Sequence, residues 1–283
     1  MSAPRVGWHA ASRVVAVPGG YCHLIDVGPR DAPAVVLIHG IAVSSWAWRM
    51  NLDALAARHR VIAVCQKGHG WSERGRGGYD IASLAAFVLG ALDKVGVARA
   101  TFVGNSLGGA VSLQVAETRP ERVARLVLVN AAALETQRPW PLLRTQVKAL
   151  DPLYARFVGP TLLRAGLVAL AYKNLEIDSH YMAGFWTPLG HPGSLKVLTA
   201  VARRLPEGLH AVDRGLDGVT QPTLIVWGAR DGVLPVAGGY DLAKRLPHAR
   251  LVLFERSGHC PHEEEPERFN RLLLEWLGST PPA

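Results

Sequence analysis

Six short runs of branched apolar residues punctuate this chain, at 34–39 (AVVLIH), 61–65 (VIAVC), 100–104 (ATFVG), 126–130 (LVLVN), 222–228 (PTLIVWG) and 251–254 (LVLF). The runs are close to continuously apolar, as expected of strands buried on both faces of a parallel sheet under two layers of helix. Parallel neighbours need crossovers, and the intervals carry helical patterns. Asp80 caps a helix expected over 81–95 that closes at Gly96, and a second is expected over 106–117, directly after its strand. Pro235 opens a late helix and Pro266 the last, over 267–277. Upstream, 13–17 and 21–27 flank Pro18-Gly19-Gly20 and read as an antiparallel hairpin. The expected class is α/β, with a mostly parallel eight-stranded sheet flanked by helices.

One interval breaks the alternation. Between Asn130 and Pro222 the chain is helix-rich, carries Trp140, Tyr154, Tyr172, Tyr181 and Trp186, and has no convincing buried strand. It is far too long for a simple connection. Residues 134–217 are therefore read as a helical cap inserted into a core domain of residues 1–133 and 218–283.

Composition excludes several classes. With 49% hydrophobic and 19% charged residues there is material for one large core and no sign of general disorder. The net charge of +8 comes from basic residues scattered among acidic ones, with no aromatic-basic module, so no nucleic-acid partner is expected. Cys22, Cys65 and Cys260 are odd in number and far apart, which argues against a disulfide framework and fits a reducing compartment. The opening residues lack a signal-like apolar run, and the most apolar helical stretch, 162–172, is short and interrupted by Arg164. A cytoplasmic protein without a membrane span is expected.

The chemistry centres on Gly104-Asn105-Ser106-Leu107-Gly108, which links the strand TFVG to the helical run LGGAVSLQVAE. A serine in so sharp a strand–turn–helix junction is held in a strained conformation, and its neighbours must be small enough for strand and helix to pass closely. The Leu107 N–H at the helix start then faces the reacting oxygen. The competing reading of Ser106 is a helix N-cap beside packing glycines. A serine hydroxyl needs a base, and His259, on the loop after the last strand, is the candidate. His39 reads as structural, His69 sits in a glycine loop, and His262 reads as a cap of the next turn. Asp231, just after TLIVWG, would fix the imidazole tautomer. Gly40, in His39-Gly40-Ile41, lets the Ile41 N–H turn toward the serine as a second oxyanion donor. His259-Cys260-Pro261-His262-Glu263 has the look of a metal cluster but lacks a distant partner motif. Neither a metal nor a cofactor is expected.

Taken together, VLIHGIAVSSWAW, TFVGNSLGGAVSLQVAETRPERVARLVLVN, PTLIVWGARDGVLP and ERSGHCPHEEEPERFNRLLLEWL resemble the α/β-hydrolase superfamily. The resemblance implies the α/β-hydrolase fold and a triad of Ser106, Asp231 and His259, with Ile41 and Leu107 as oxyanion donors and His39, Gly40, Gly104, Asn105 and Gly108 in support. After the fourth strand, where relatives have a D-x-P-G-x-G-x-S type of segment, this chain has Cys65-Gln66-Lys67-Gly68-His69-Gly70-Trp71-Ser72. Cys65 reads as a buried small hydrophobe rather than a reactive thiol. The expected function is hydrolysis of a small apolar carboxylic ester through an acyl-enzyme. G-N-S-L-G-G and F-N-R-L-L also resemble carbon–carbon bond hydrolases acting on vinylogous diketones. Their oxyanion loop is glycine-rich (H-G-x-G-x-G), and the departure HGIAVSSW favours the esterase. A binding protein on a retired hydrolase scaffold is the third alternative.

Overall fold

A computed structural model describes residues 7–75, 77–136 and 160–279. Its single sheet has eight strands: β1 (Ser12–Val17), β2 (Gly20–Val27), β3 (Ala34–Ile38), β4 (Arg60–Val64), β5 (Ala100–Asn105), β6 (Val123–Val129), β7 (Thr223–Gly228) and β8 (Ala249–Phe254). Their order across the sheet is β1-β2-β4-β3-β5-β6-β7-β8. β1–β2 and β2–β4 are antiparallel and every other pair is parallel. The hairpin is tighter than its sequence suggests, because Val17 pairs with Gly20 and only Pro18 and Gly19 form the turn.

The apolar strands separate their side chains by parity, as a pleat requires. In β3, Val36 and Ile38 enter one core while Val35 and Leu37 enter the other. The first core is covered by α2 (Ile81–Lys94) and α3 (Leu107–Thr118), the second by the one-turn α1 (Leu52–Ala56) with Trp48 and by the C-terminal helix. Asp80 caps α2 as expected, accepting from Ser83 N at 2.8 Å. α3 is buried from Leu107 to Ala116, so its weak amphipathicity is that of an interior helix.

The long interval is helical where it is described: α4 (Pro160–Gly166), a π-helical turn (Leu167–Ala171), α5 (Ser179–Leu189) and α6 (Ser194–Gly215). Trp140 and Tyr154 lie outside the described residues. After β7 come α7 (Ala237–Arg245), the short α8 (Pro261–Glu264) and α9 (Pro266–Gly278). α7 begins two residues after Pro235, because the Gly238 N–H closes a turn on the Pro235 carbonyl first. No described helix is long and apolar enough to cross a membrane.

β3 is where strand order reverses, with β4 on one side and β5 on the other. A crevice opens outside the carboxyl ends of two strands whose connections leave in opposite directions. His39-Gly40-Ile41 and Ser106 follow those two ends, so topology alone brings them together.

Two buried histidines brace this region. His39 Nδ1 donates to the Gly40 carbonyl at 2.7 Å, and Nε2 accepts from Gln66 N at 3.1 Å, which uses the neutral ring completely. Burial, reinforced by nearby His69, pushes His39 down to about 3; burial likewise pushes His69 down to about 4. Both take up protons more readily unfolded than folded. Their contribution to stability is therefore intact above about pH 6.5 and is lost as pH falls toward 3. Denaturant unfolding at pH 7 and pH 4.5 should show a loss on the order of 2 kcal/mol per histidine, and His39→Gln should flatten that pH dependence.

Candidate active site

Ser106 lies between β5 and α3 with φ 53 and ψ −117, a positive φ that is costly for a residue with a side chain, about 1–3 kcal/mol. The geometry leaves no alternative at its neighbours. A Cβ on Gly104 would stand 2.2 Å from the Gly108 carbonyl oxygen, and one on Gly108 would stand 2.1 Å from that of Ile38. The turn is tied to the next strand by Ser106 N donating to Val129 O at 3.1 Å and Ala132 N donating to Ser106 O at 3.0 Å. Although Ser106 occupies the N-cap position of α3, its side chain makes no capping hydrogen bond. The N-cap reading fails for that reason: the hydroxyl is left for another use.

The expected partners converge. His259 Nδ1 donates to Asp231 Oδ2 at 2.7 Å, with the carboxylate side chain fully buried. Asp231 receives three further donors: Asn130 Nδ2 on the same oxygen at 2.6 Å, and Val233 N and Leu234 N on Oδ1 at 2.7 and 3.0 Å. With Nδ1 committed, the accepting face of a neutral imidazole is Nε2. His259 and Ser106 line the same cavity of about 200 Å³. The hydrogen bond between them that proton transfer needs is not formed in this structure; in free enzymes such bonds often tighten only when substrate enters.

Ile41 and Leu107 line that cavity too. Gly40 lets the first segment pass closely, since a Cβ there would be 3.0 Å from Asn105 Oδ1 and 3.2 Å from Ser106 Cβ. Asn105 Nδ2 donates to the carbonyls of Val129 and His259, both at 3.1 Å, and so ties the end of β5 to the histidine loop.

Some positions depart from expectation. Ala42 adopts φ 65, the conformation a glycine would supply. The loop HGIAVSSW thus keeps a glycine-like backbone, and its composition no longer separates the esterase from the carbon–carbon hydrolase. Cys65 is buried as expected but is not a bland apolar contact. Its Sγ lies 3.3 Å from His23 Nδ1 and accepts from Ser45 N at 3.4 Å. Burial alone would raise this thiol, yet the contacts with His23 and Ser45 bring it net below its ordinary value. His262 caps nothing with its ring, which is fully buried against Trp48 at 4.2 Å between centroids.

Two supporting residues were missed. Asn130, φ 43, donates to Asp231 and accepts from Gly228 N at 3.1 Å; its only sequence signal is a polar residue ending an apolar strand. Glu264 accepts from Gly258 N at 2.9 Å and Cys260 N at 3.1 Å, the amides flanking His259, and from Lys173 N and Asn174 N at 2.8 and 2.9 Å.

The Alpha/beta hydrolase family matches this chain over residues 35–272, most of its length. The chain belongs to that family. Among curated relatives of this alpha/beta hydrolase, 2-hydroxy-6-oxononadienedioate/2-hydroxy-6-oxononatrienedioate hydrolase of Burkholderia vietnamiensis is 34% identical over 267 residues, covering 90% of each chain. Among solved structures, the meta-cleavage product hydrolase CumD of Pseudomonas fluorescens IP01 aligns with a TM-score of 0.81 at 27% identity, over 94% of this chain and 97% of that one. Est816, described as an N-acyl homoserine lactone degrading enzyme, aligns with a TM-score of 0.78 at 26% identity, over 93% and 100% of the two chains.

The Asn130 contact is separable from the Asp231–His259 pair itself. Asn130→Asp keeps a residue type tolerant of positive φ, removes the donor and sets a second carboxyl group against Asp231. It should lower kcat about 10- to 100-fold while far-ultraviolet circular dichroism is retained, as steady-state kinetics on any turned-over substrate would read.

Proposed function

We propose that this protein hydrolyses the carbon–carbon bond beside a ketone in a small vinylogous diketone, with Ser106 as nucleophile, His259 as acid–base group and Asp231 as its orienting partner. What carries this reading is the match, over 90% of both chains, to a relative named as a hydrolase of dienedioate ring-cleavage products. The solved structure of a meta-cleavage product hydrolase supports it independently at a TM-score of 0.81.

In the proposed sequence, Ser106 Oγ gives its proton to His259 Nε2 as it attacks the ketone carbon. The resulting oxyanion is met by the amides of Ile41 and Leu107, each such donor being worth about 3 kcal/mol. The carbon–carbon bond then breaks with its electron pair on the departing carbon. A bare carbanion would be a prohibitive leaving group, so the substrate must carry a second, conjugated carbonyl that delocalises the pair as an enolate. The His259 imidazolium returns the proton to that fragment. Water, deprotonated by the same imidazole, attacks the acyl-Ser106 carbonyl, releasing a carboxylic acid and restoring the hydroxyl. One water is consumed for the bond broken.

Residues 134–217 are proposed as the cap. Leu167, Phe185, Leu205 and Leu209, all from this stretch, line the cavity over Ser106 and give it the apolar wall that a ring-cleavage fragment needs. A second reading, hydrolysis of a carboxylic ester or lactone by the same residues, is favoured by the likeness to Est816. It needs no conjugated leaving group.

An aryl-terminated vinylogous diketone, supplied both as its carboxylate and as its primary carboxamide, separates the two. Bleaching of its chromophore with release of the aryl carboxylic acid is expected for the native enzyme, and Ser106→Ala should reduce the rate at least about 1,000-fold. Turnover of p-nitrophenyl esters with no acid released from either diketone would replace the first reading by the second.

A further inference from the structure

Two hollows share a wall in this structure. One is the cavity of about 200 Å³ that Ser106 and His259 line. The other is a crevice reaching Ser44, Trp46 and Tyr181, too tight as it stands for a water molecule. Among the described residues, Val43, Ala47, Phe185 and Glu263 line both. Phe185 is the bulk of that wall. Val43 and Ala47 are small, and Glu263 has its oxygens engaged by Arg49, Tyr172 and Tyr181, so apolar matter beside it strips no hydrogen bond.

Local packing fixes where the Phe185 ring stands. α5 passes so close to Trp46 at Gly184 that a Cβ there would lie 2.2 Å from the indole. Tyr181 and Phe185 are four apart on α5 and therefore neighbours on one helix face. Their rings stack with centroids 6.4 Å apart at 24°, and Tyr181 in turn meets Trp46 edge-on at 5.0 Å. Only 5% of Phe185 is exposed. A ring packed in this way presents a fixed face to the cavity.

The consequence is a limit on length. Each methylene moved from water onto an apolar wall favours binding about four-fold, and that gain stops where the chain meets a packed side chain. Removing the ring would join cavity to crevice and extend the apolar path toward Trp46. We propose that Phe185 is a specificity-determining residue whose ring closes the substrate cavity and sets the length of alkyl or alkenyl chain, acyl or leaving, that the site accepts. The inference rests on this cavity being the substrate site of a serine hydrolase, and not on which bond is broken.

Two ester pairs test it. p-Nitrophenyl butanoate against p-nitrophenyl octanoate varies the acyl chain, and butyl acetate against octyl acetate varies the leaving group. In Phe185→Ala the long-to-short ratio of kcat/KM should rise at least about 10-fold over the native enzyme in one pair, and Phe185→Trp should lower it in the same pair. A merely structural role for Phe185 would lower both members together and leave the ratio in place. Leu209 lines the cavity but not the crevice, so Leu209→Ala should raise the ratio less than Phe185→Ala does. Ratios unchanged in both pairs overturn the proposal, and so does a rise in Leu209→Ala equal to that in Phe185→Ala. Should Phe185→Ala not fold, Phe185→Leu reads the same effect as a rise of at least about three-fold. If the esters are inert, vinylogous diketones ending in a butyl or an octyl ketone decide the role of Phe185, and the ester reading alone fails. If both classes are inert, the rates at which butanesulfonyl and octanesulfonyl fluoride label Ser106 supply the ratio. Failure of either reagent to label Ser106 ends the serine-hydrolase reading and this inference with it.

Discussion

The turn at Ser106 is the constraint on which the site depends. β5 ends and α3 begins within one residue, and three backbones crowd that point: α3 against β5 at Gly104 and Gly108, the end of β3 against Gly108, and the Gly40 loop against Asn105 and Ser106. At φ 53 the serine makes no capping hydrogen bond to the helix it precedes, so the strain that costs about 1–3 kcal/mol also leaves its hydroxyl free of the helix. The same crowding sets the first amides of α3, with the positive end of its dipole, beside the Ser106 turn. Burial of α3 from Leu107 through Ala116 holds the turn against relaxation.

The His259–Asp231 pair is built by a different device, a convergence of loops from consecutive strand ends. Asn130 follows β6, Asp231 follows β7 and His259 follows β8, and in a parallel sheet these ends lie side by side. Four donors on one carboxylate leave Asp231 little freedom to turn, so the imidazole it holds presents Nε2 in one direction. Asn105 joins the two devices by reaching from the Ser106 turn to the carbonyl of His259.

Much of this was legible because period and punctuation are local properties. The continuous apolar runs gave the strands to within a few residues, and the order serine, aspartate, histidine followed from which strand each residue terminates. What resisted reading was anything decided by a side chain's direction. Glu263, Glu264 and Glu265 are adjacent and chemically identical, yet the first pairs with Arg49, the second gathers backbone amides and the third accepts from Ser257 Oγ at 2.7 Å. No spacing rule separates them, because which partner each carboxylate meets is set by the direction of its side chain in the folded chain. Ala42 misled for the opposite reason: the pattern argument took the absence of glycine as absence of the glycine conformation, which alanine adopts here under tertiary constraint.

Glu264 also explains why the histidine loop and the segment over the cavity form one mechanical unit. Its carboxylate accepts from the amides on either side of His259 and from those of Lys173 and Asn174, while His259 N itself donates to Ala171 O at 2.6 Å. Leu167, Ala171 and Tyr172, in or just before that segment, line the cavity. That wall and the backbone carrying the imidazole are thereby joined through hydrogen bonds to a single buried group.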